Sequence, residues 1–150
     1  MYTRIMVAID TSATAQKALD EAIRLAGTLG ARLCITYAAD EGALTQHGMG
    51  LGTYIDIEKV KVEIRDAGSR LLDTAVDKAA ALTCKAERML VESADKRVAE
   101  MIVDAAHTWR ADLIVVGTHG RRGFERLLVG SVAENLVRIA TTSLLLVREH

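Results

Sequence analysis

The chain has 150 residues, of which 50% are apolar and 3% aromatic, and its formal net charge is −1. This length predicts one domain over residues 1–150 that buries a core of its own. The near-neutral charge and the few aromatic rings argue against nucleic acid as a partner. No apolar run approaches the roughly 20 residues that span a bilayer, and the N-terminus lacks the apolar region of a signal peptide. We therefore expect a soluble, cytoplasmic protein with no membrane span.

The two cysteines, Cys34 and Cys84, fall inside predicted strands. A disulfide framework or a metal site would need further ligands at suitable spacing, and the sequence has none. We expect two reduced core thiols.

The first 38 residues predict a β-α-β unit. The unbroken apolar run at 5–9 is typical of a strand buried on both faces. Asp10, Thr11 and Ser12 follow, and apolar residues then recur at helical spacing until Gly30, a typical helix C-terminal glycine. A second strand is predicted over 31–38, parallel to the first with a right-handed crossover.

Four glycines make residues 40–54 a predicted loop: Gly42, Gly48, Gly50 and Gly52. This loop is either a tolerated surface insertion or a mobile flap over a ligand, because it follows the carboxyl end of a strand.

The remaining chain alternates helices and strands. Helical periodicity predicts helices over 56–82, after Ser93 as far as Trp109, and over 132–140, and apolar runs predict strands over 84–91, 113–117 and 143–147. The strand at 84–91 carries charges on both faces and is therefore expected at a sheet edge. Five strands alternating with four helices predict an α/β fold with a doubly wound parallel sheet.

The strand at 113–117 leads into a glycine motif, Gly117-x2-Gly120-x9-Gly130-Ser131, with Arg121, Arg122 and Arg126 in the interval. Backbone N–H groups at the start of the next helix favour a phosphate there. Ligands of such sheets bind beyond the carboxyl ends of strands, where the strand order reverses. If the first and fourth strands are neighbours, Asp10 shares that crevice, and Mg²⁺ prefers a carboxylate together with phosphate oxygens.

Each part of this site also has a purely structural interpretation. Asp10 could be a helix N-cap, and Ser131 with Glu134 matches a capping box. The others could be ordinary loop residues: His119, Gly120, Gly123, Arg121, Arg122 and Arg126. The sequence lacks both the Gly-x-x-x-x-Gly-Lys-[Ser/Thr] loop and a Gly-x-Gly-x-x-Gly after the first strand, which excludes a P-loop enzyme and a dinucleotide fingerprint.

Over nearly its whole length the chain resembles the universal stress protein family. The resemblance rests on Ile-Met-Val-Ala-Ile-Asp10-x-Ser12, on Ala-Asp-Leu-Ile-Val-Val-Gly117, on the closing Leu-Leu-Leu-Val147 and, most specifically, on the glycine motif, which matches the ATP-binding branch. It implies a five-stranded sheet of order 3-2-1-4-5, similar to the adenine nucleotide alpha hydrolase-like fold. It also implies an ATP site with Mg²⁺ or Mn²⁺ near Asp10, and a homodimer formed through residues 143–148.

The same resemblance implies a role for each site residue. Those that would contact the nucleotide are Ala8, Asp10 and Ala38 for the adenosine, Val116 and Gly117 for the ribose, and His119, Gly120, Gly130, Ser131 and Val132 for the phosphates. The chain departs from the family pattern at Thr11, where glycine is frequent, at Ser143, where proline is common, and at Tyr37, where histidine is common.

Three hypotheses on function follow. The first is a nucleotide-dependent stress-response module that acts through its dimer or an unknown protein partner. The second is a slow ATPase or phosphotransferase, for which the site offers no obvious general base except His119. The third is an interaction module with a vestigial site.

Overall fold

The structure of the protein, a computed structural model, describes residues 1–41, 56–119 and 129–149. Its elements in chain order are β1 (Arg4–Ala8), α1 (Ala13–Leu29), β2 (Arg32–Asp40), α2 (Ile57–Ala81), β3 (Ala86–Ser93), α3 (Val98–Trp109), β4 (Leu113–Gly117), α4 (Ser131–Ile139) and β5 (Ser143–Val147). All strand pairs are parallel, in the order β3-β2-β1-β4-β5. The predicted fold class and sheet order are confirmed. Several predictions lie outside the described residues: Gly120, Arg121, Arg122, Gly123, Arg126 and the loop from 42 onward.

The sheet has one helical layer on each face. Residues 5, 7 and 9 of the first strand region pack in a core with α1 and α2, whereas Met6 and Ala8 pack in a second core with α3 and α4. All residues from Ile5 to Ala8 are buried, as the unbroken apolar run predicts for a strand covered on both faces. Because neighbouring residues of a strand point to opposite faces, odd-numbered and even-numbered residues of β1 contact different helical layers.

The second and third strands are longer at their carboxyl ends than the sequence pattern predicts. Ala38 pairs with Val91, and the ladder continues to Asp40 opposite Ser93. The predicted ends at 38 and 91 are therefore wrong by two residues each. Apolar alternation fades at these polar residues, while the backbone ladder between the two strands continues.

The predicted strand start at Cys84 is also wrong, because this residue lies in the turn between α2 and β3. The amide of Cys84 donates to the carbonyl of Ala79 at 2.9 Å, and Thr83 has a positive φ of 59°. Together with the bond from the amide of Thr83 to the carbonyl of Ala80 at 3.0 Å, this hydrogen bond satisfies carbonyls in the last turn of α2. The chain therefore completes a helix end before it enters the sheet.

Both cysteines are free thiols. Burial raises the pKa of Cys34 to about 12, reinforced by the nearby Glu87 and opposed by Arg4 and Arg32. Burial also raises the pKa of Cys84. Because the thiolate is the reactive form, both side chains are poor nucleophiles at neutral pH and serve as small apolar groups.

β3 and β5 form the two edges of the sheet, so the edge position expected for the third strand is confirmed. Within the described ranges, no helix is long and apolar enough to cross a membrane.

Candidate functional site

The carboxyl ends of three strands meet around Asp10. β1 pairs with β2 on one side and with β4 on the other, with Val7 opposite Val115, and the amide of Ile9 donates to Thr36 O at 2.9 Å. Asp10 therefore leaves the sheet between the tips of β2 and β4. The chain runs to β2 on one side of β1 and later returns to β4 on the other, so this is the point where strand order reverses. The neighbour relation of the first and fourth strands, on which the sequence argument depends, is confirmed.

Four of the expected site residues lie on one face of the sheet. Ala8 and Val116 are buried, and Ala38 and Val132 are half-buried against the same core beneath α3 and α4. Their small or branched apolar side chains form an apolar wall beside the strand tips. Such a wall suits the uncharged part of a ligand whose polar end is held elsewhere.

Gly117 faces the opposite layer. A Cβ at this position would lie 2.7 Å from Thr14 Oγ1 and 2.9 Å from the carbonyl carbon of Thr14. Glycine is therefore required here by the close approach of α1 to β4, whatever binds in the crevice. This packing role cannot be seen in the spacing of the motif.

Asp10 does not cap α1. The N-cap is Ser12, whose Oγ accepts from the amide of Ala15 at 3.2 Å, while Asp10 Oδ1 accepts from the amide of Ser12 at 2.7 Å. The N-cap interpretation of Asp10 is wrong, since the hydroxyl of Ser12, two residues closer to the helix, takes that place. The bond to Ser12 holds the carboxylate at the tip of β1.

Asp10 also differs in its electrostatic surroundings from Glu41 and Glu92 at the same edge. Glu92 is held by Arg65 at 2.7 Å, and the hydrogen bond from that guanidinium lowers the pKa of the carboxyl. The buried Glu41 lies 3.9 Å from Lys61. Among the described residues, Asp10 has no such basic partner within 4.0 Å. The charge of Asp10 is therefore open to a cation brought by a ligand.

The start of α4 differs from the predicted capping box. Gly130 is the N-cap with no side-chain cap, and Ser131 is already the first helical residue. Glu134 directs its carboxylate to Arg138 at 2.9 Å instead of back to the helix start. The capping box is wrong for this reason, and the exposed Ser131 hydroxyl is not used as a cap. A helix start without a side-chain cap leaves N–H donors for an anion.

The β4 tip and the start of α4 are joined directly. The amide of Gly130 donates to the carbonyl of Thr118 at 2.6 Å, and the amide of Thr118 donates to Val147 O at 2.9 Å. The two ends of the glycine motif that the structure describes are thus in contact beyond the edge of the sheet. They lie on the β4 side of the crevice that Asp10 borders.

His119 is not a solvent-facing loop residue. Its Nδ1 lies 3.0 Å from Thr118 Oγ1, and its carbonyl accepts a hydrogen bond from Thr14 Oγ1. Its Nε2 is buried and has no hydrogen-bond partner in the described part of the chain. An unpartnered buried nitrogen is costly, and a ligand group could relieve that cost.

The sequence profile of the Universal stress protein family matches residues 1–148. The chain belongs to the universal stress protein family. Universal stress protein YxiE of Bacillus subtilis is 31% identical over 151 residues, which cover 99% of this chain and 100% of that protein. The family resemblance read from the motifs is thereby confirmed.

Solved structures agree with this assignment. A crystal structure of a protein from the universal stress protein family of Burkholderia pseudomallei is 34% identical, has a TM-score of 0.78, and is matched over 97% of this chain and 96% of that one. A crystal structure of a universal stress protein in complex with cAMP is 26% identical, has a TM-score of 0.67, and is matched over 98% and 97%. That family member therefore binds an adenine nucleotide.

One departure of this universal stress protein from the family pattern has a packing explanation. Tyr37, where family members often have histidine, lies against Gly68 of α2, and a Cβ at Gly68 would be 2.5 Å from the tyrosine ring. The Tyr37 ring fills the space between β2 and α2 that a side chain at position 68 would otherwise occupy.

Sequence reasoning missed Thr14 and Thr118. Both are buried polar residues, and both hydroxyls bond to the His119 region. The sequence shows only one threonine on the inward face of the start of α1 and another directly after β4. Neither position indicates which group the hydroxyl bonds to until the fold is known.

Two cavities lie away from the tips of β1 and β4. One of about 280 Å³ lies between β3 and α3 near Met89 and Met101, and one of about 700 Å³ lies at the opposite end of the sheet near Gly30 and Cys84. Neither is lined by a predicted site residue. The convergence of polar groups, and not cavity size, identifies the candidate site in this family member.

Proposed function

We propose that this protein binds an adenine nucleotide, ATP with Mg²⁺ or Mn²⁺, at the tips of β1 and β4, and acts as a nucleotide-dependent stress-response module. The observation that carries the proposal is the contact of Gly130 with Thr118, which places a helix start without a side-chain cap beyond the sheet edge that Asp10 also borders. The adenine nucleotide in the cAMP complex of a family member supports the ligand class. Two free thiols are consistent with a reducing compartment, and we propose the cytoplasm.

The two sides of the crevice suit different parts of the nucleotide. On the apolar side, Ala8, Ala38 and Val116 are small or branched, and they would contact the adenosine without competing hydrogen bonds. On the polar side, donors at the start of α4 would bind the phosphates. The full proposed set is Ala8, Asp10, Ala38, Val116, Gly117, His119, Gly120, Gly130, Ser131 and Val132.

Asp10 is the proposed metal ligand. In the described part of the chain, no group of three or more His, Cys, Asp or Glu side chains could hold a metal by itself. A single carboxylate fits a cation that arrives with the nucleotide, because Mg²⁺ keeps most of its shell as phosphate oxygens and water. The bound cation would offset the repulsion between Asp10 and the phosphates.

Nucleotide binding is tested by isothermal titration of nucleotide-stripped protein with ATP, AMP, cAMP and adenosine, with Mg²⁺ or with EDTA. We expect saturable ATP binding that is weaker in EDTA. Gly130→Val should weaken ATP binding at least about tenfold, because the valine side chain would occupy space at the helix start where the phosphates would lie. Gly130 has an ordinary φ of −59°, so valine adds no backbone strain.

Asp66 is exposed on α2, away from the crevice, and Asp66→Asn is the control for a substitution outside the proposed site. This variant should bind every ligand with the wild-type affinity. Wild-type protein that binds no adenine nucleotide at millimolar concentration would contradict the proposal. Equal ATP affinity in wild type and Gly130→Val would show that the nucleotide lies elsewhere.

We also propose a homodimer through β5 and residue 148. The two sheet edges differ in charge, since β3 carries Glu87, Arg88 and Glu92 whereas β5 has no charged residue. Charges on an edge discourage strand pairing, and an uncharged apolar edge invites it. Val137 on the neighbouring α4 is 60% exposed, which adds apolar surface near that edge.

Sedimentation velocity distinguishes the two edges. Leu146→Lys should convert a dimer to a monomer, because a lysine on the β5 edge opposes pairing with a second copy. Leu90→Lys places the same charge at a half-buried leucine of β3 and should leave the dimer intact. A monomeric wild type, or a monomer produced only by Leu90→Lys, would contradict the β5 interface.

A further inference from the structure

The first turn of α1 connects the tip of β1 to the tip of β4. Thr14 is 2% exposed and packs directly against Gly117. Its Oγ1 donates a hydrogen bond to the carbonyl of His119, two residues beyond β4. A threonine in the first helical turn thus contacts both ends of a three-residue segment that is distant in sequence.

The same turn also holds Asp10. The Oγ atoms of Ser12 and Thr14 are 3.4 Å apart, and the amide of Ser12 donates to Asp10 Oδ1 at 2.7 Å. Ser12 therefore links the carboxylate at the β1 tip, which its amide binds, to Thr14 and so to the carbonyl at the β4 tip. Both atoms belong to residues that border the proposed crevice.

We propose that Thr14 is a positioning residue that holds the His119 carbonyl against α1 and thereby keeps the β4 tip ready for a nucleotide's phosphates. This inference rests on the proposed function. A carbonyl oxygen carries partial negative charge and repels a phosphate that approaches it. When the oxygen is bound by the Thr14 hydroxyl, its charge is directed into the α1–β4 contact and away from an anion beyond the strand tips.

Valine has the branched shape of threonine but lacks the hydroxyl donor on which the proposed role of Thr14 depends. Thr14→Val keeps the branched side chain against Gly117 but removes the donor, so the His119 carbonyl loses its partner. Thr14→Ser keeps the donor and loses a methyl group. The pair of variants separates the hydrogen bond from the packing, and each is compared with the wild type after thermal unfolding has shown that it is folded.

Two measurements test the inference. Without nucleotide, hydrogen exchange of the Thr118 and Gly130 amides should be about tenfold faster in Thr14→Val than in the wild type, and unchanged in Thr14→Ser, because both amides bond at this tip. In titrations, Thr14→Val should bind ATP with Mg²⁺ about tenfold more weakly while its affinity for adenosine stays within about twofold. Thr14→Ser should resemble the wild type for both ligands.

Other outcomes overturn the inference. Equal losses for ATP and adenosine would indicate a general structural role, and a Thr14→Ser protein as weak as Thr14→Val would assign the effect to the methyl group. Unchanged exchange in Thr14→Val would show that the hydroxyl does not hold the tip. If the wild type bound no nucleotide, the proposed function would fail, and the exchange rates alone would then decide whether Thr14 holds the β4 tip.

Discussion

Gly117→Ala is expected to lower the free energy of unfolding by about 1–3 kcal/mol, the usual cost of overpacking. The new Cβ would lie 2.9 Å from the carbonyl carbon of Thr14, and a backbone atom cannot move aside as a flexible side-chain end can. The first turn of α1 must therefore shift away from β4. Urea unfolding followed by circular dichroism measures this change.

The same substitution in open space is the control. Gly27 lies in α1 with no atom within 4 Å of the position that a Cβ would take. Gly27→Ala is expected to raise the free energy of unfolding by up to about 1 kcal/mol, because alanine loses less backbone entropy than glycine in a helix. If Gly117→Ala were as stable as the wild type, α1 and β4 would be farther apart than the structure places them.

Leu72→Ala is expected to cost about 2–5 kcal/mol of unfolding free energy, the range for a leucine removed from a packed core. Leu72 is 0% exposed in the core that α1 and α2 form with the sheet. Truncation removes methyl groups from an environment in which few neighbours can close the gap. The expected result is a lower urea midpoint with an unchanged slope.

Leu82, the C-cap residue that follows α2, is 56% exposed and allows an identical substitution at the surface. Leu82→Ala is expected to change the unfolding free energy by no more than about 0.5 kcal/mol. Equal effects of the two truncations would mean that α2 does not pack on the sheet through the face that carries Leu72.

The fold was largely predictable because its signals are local. The apolar run of β1 reports burial on both faces, and the helical periodicity before Gly30 reports an amphipathic helix with a left-handed end, which the φ of 64° bears out. Charges on both faces of β3 indicate an edge strand, and it lies at one. The sheet order came from family resemblance, since apolar periodicity alone does not say which strands are neighbours.

Cap assignments were less predictable. Asp10 and Ser12 are both good capping types, and Gly130 and Ser131 compete in the same way at the start of α4. Only the backbone path decides between such neighbours, because a shift of one residue changes which atom faces the free N–H groups. In both cases the structure selects the alternative that leaves Asp10 and Ser131 free of the N-cap.

Patterns along the chain are enough to establish the alternation of strands and helices, the family and the position of the glycine motif. Tertiary structure alone decided that Gly117 is needed for the approach of Thr14, that the His119 carbonyl faces α1, and that Asp10 lacks a basic partner among the described residues. Each of these depends on atoms more than a hundred residues apart or on charges from another element. Contacts between residues so far apart in sequence form only in the folded chain, because the spacing of residues along the chain does not indicate which side chains will meet.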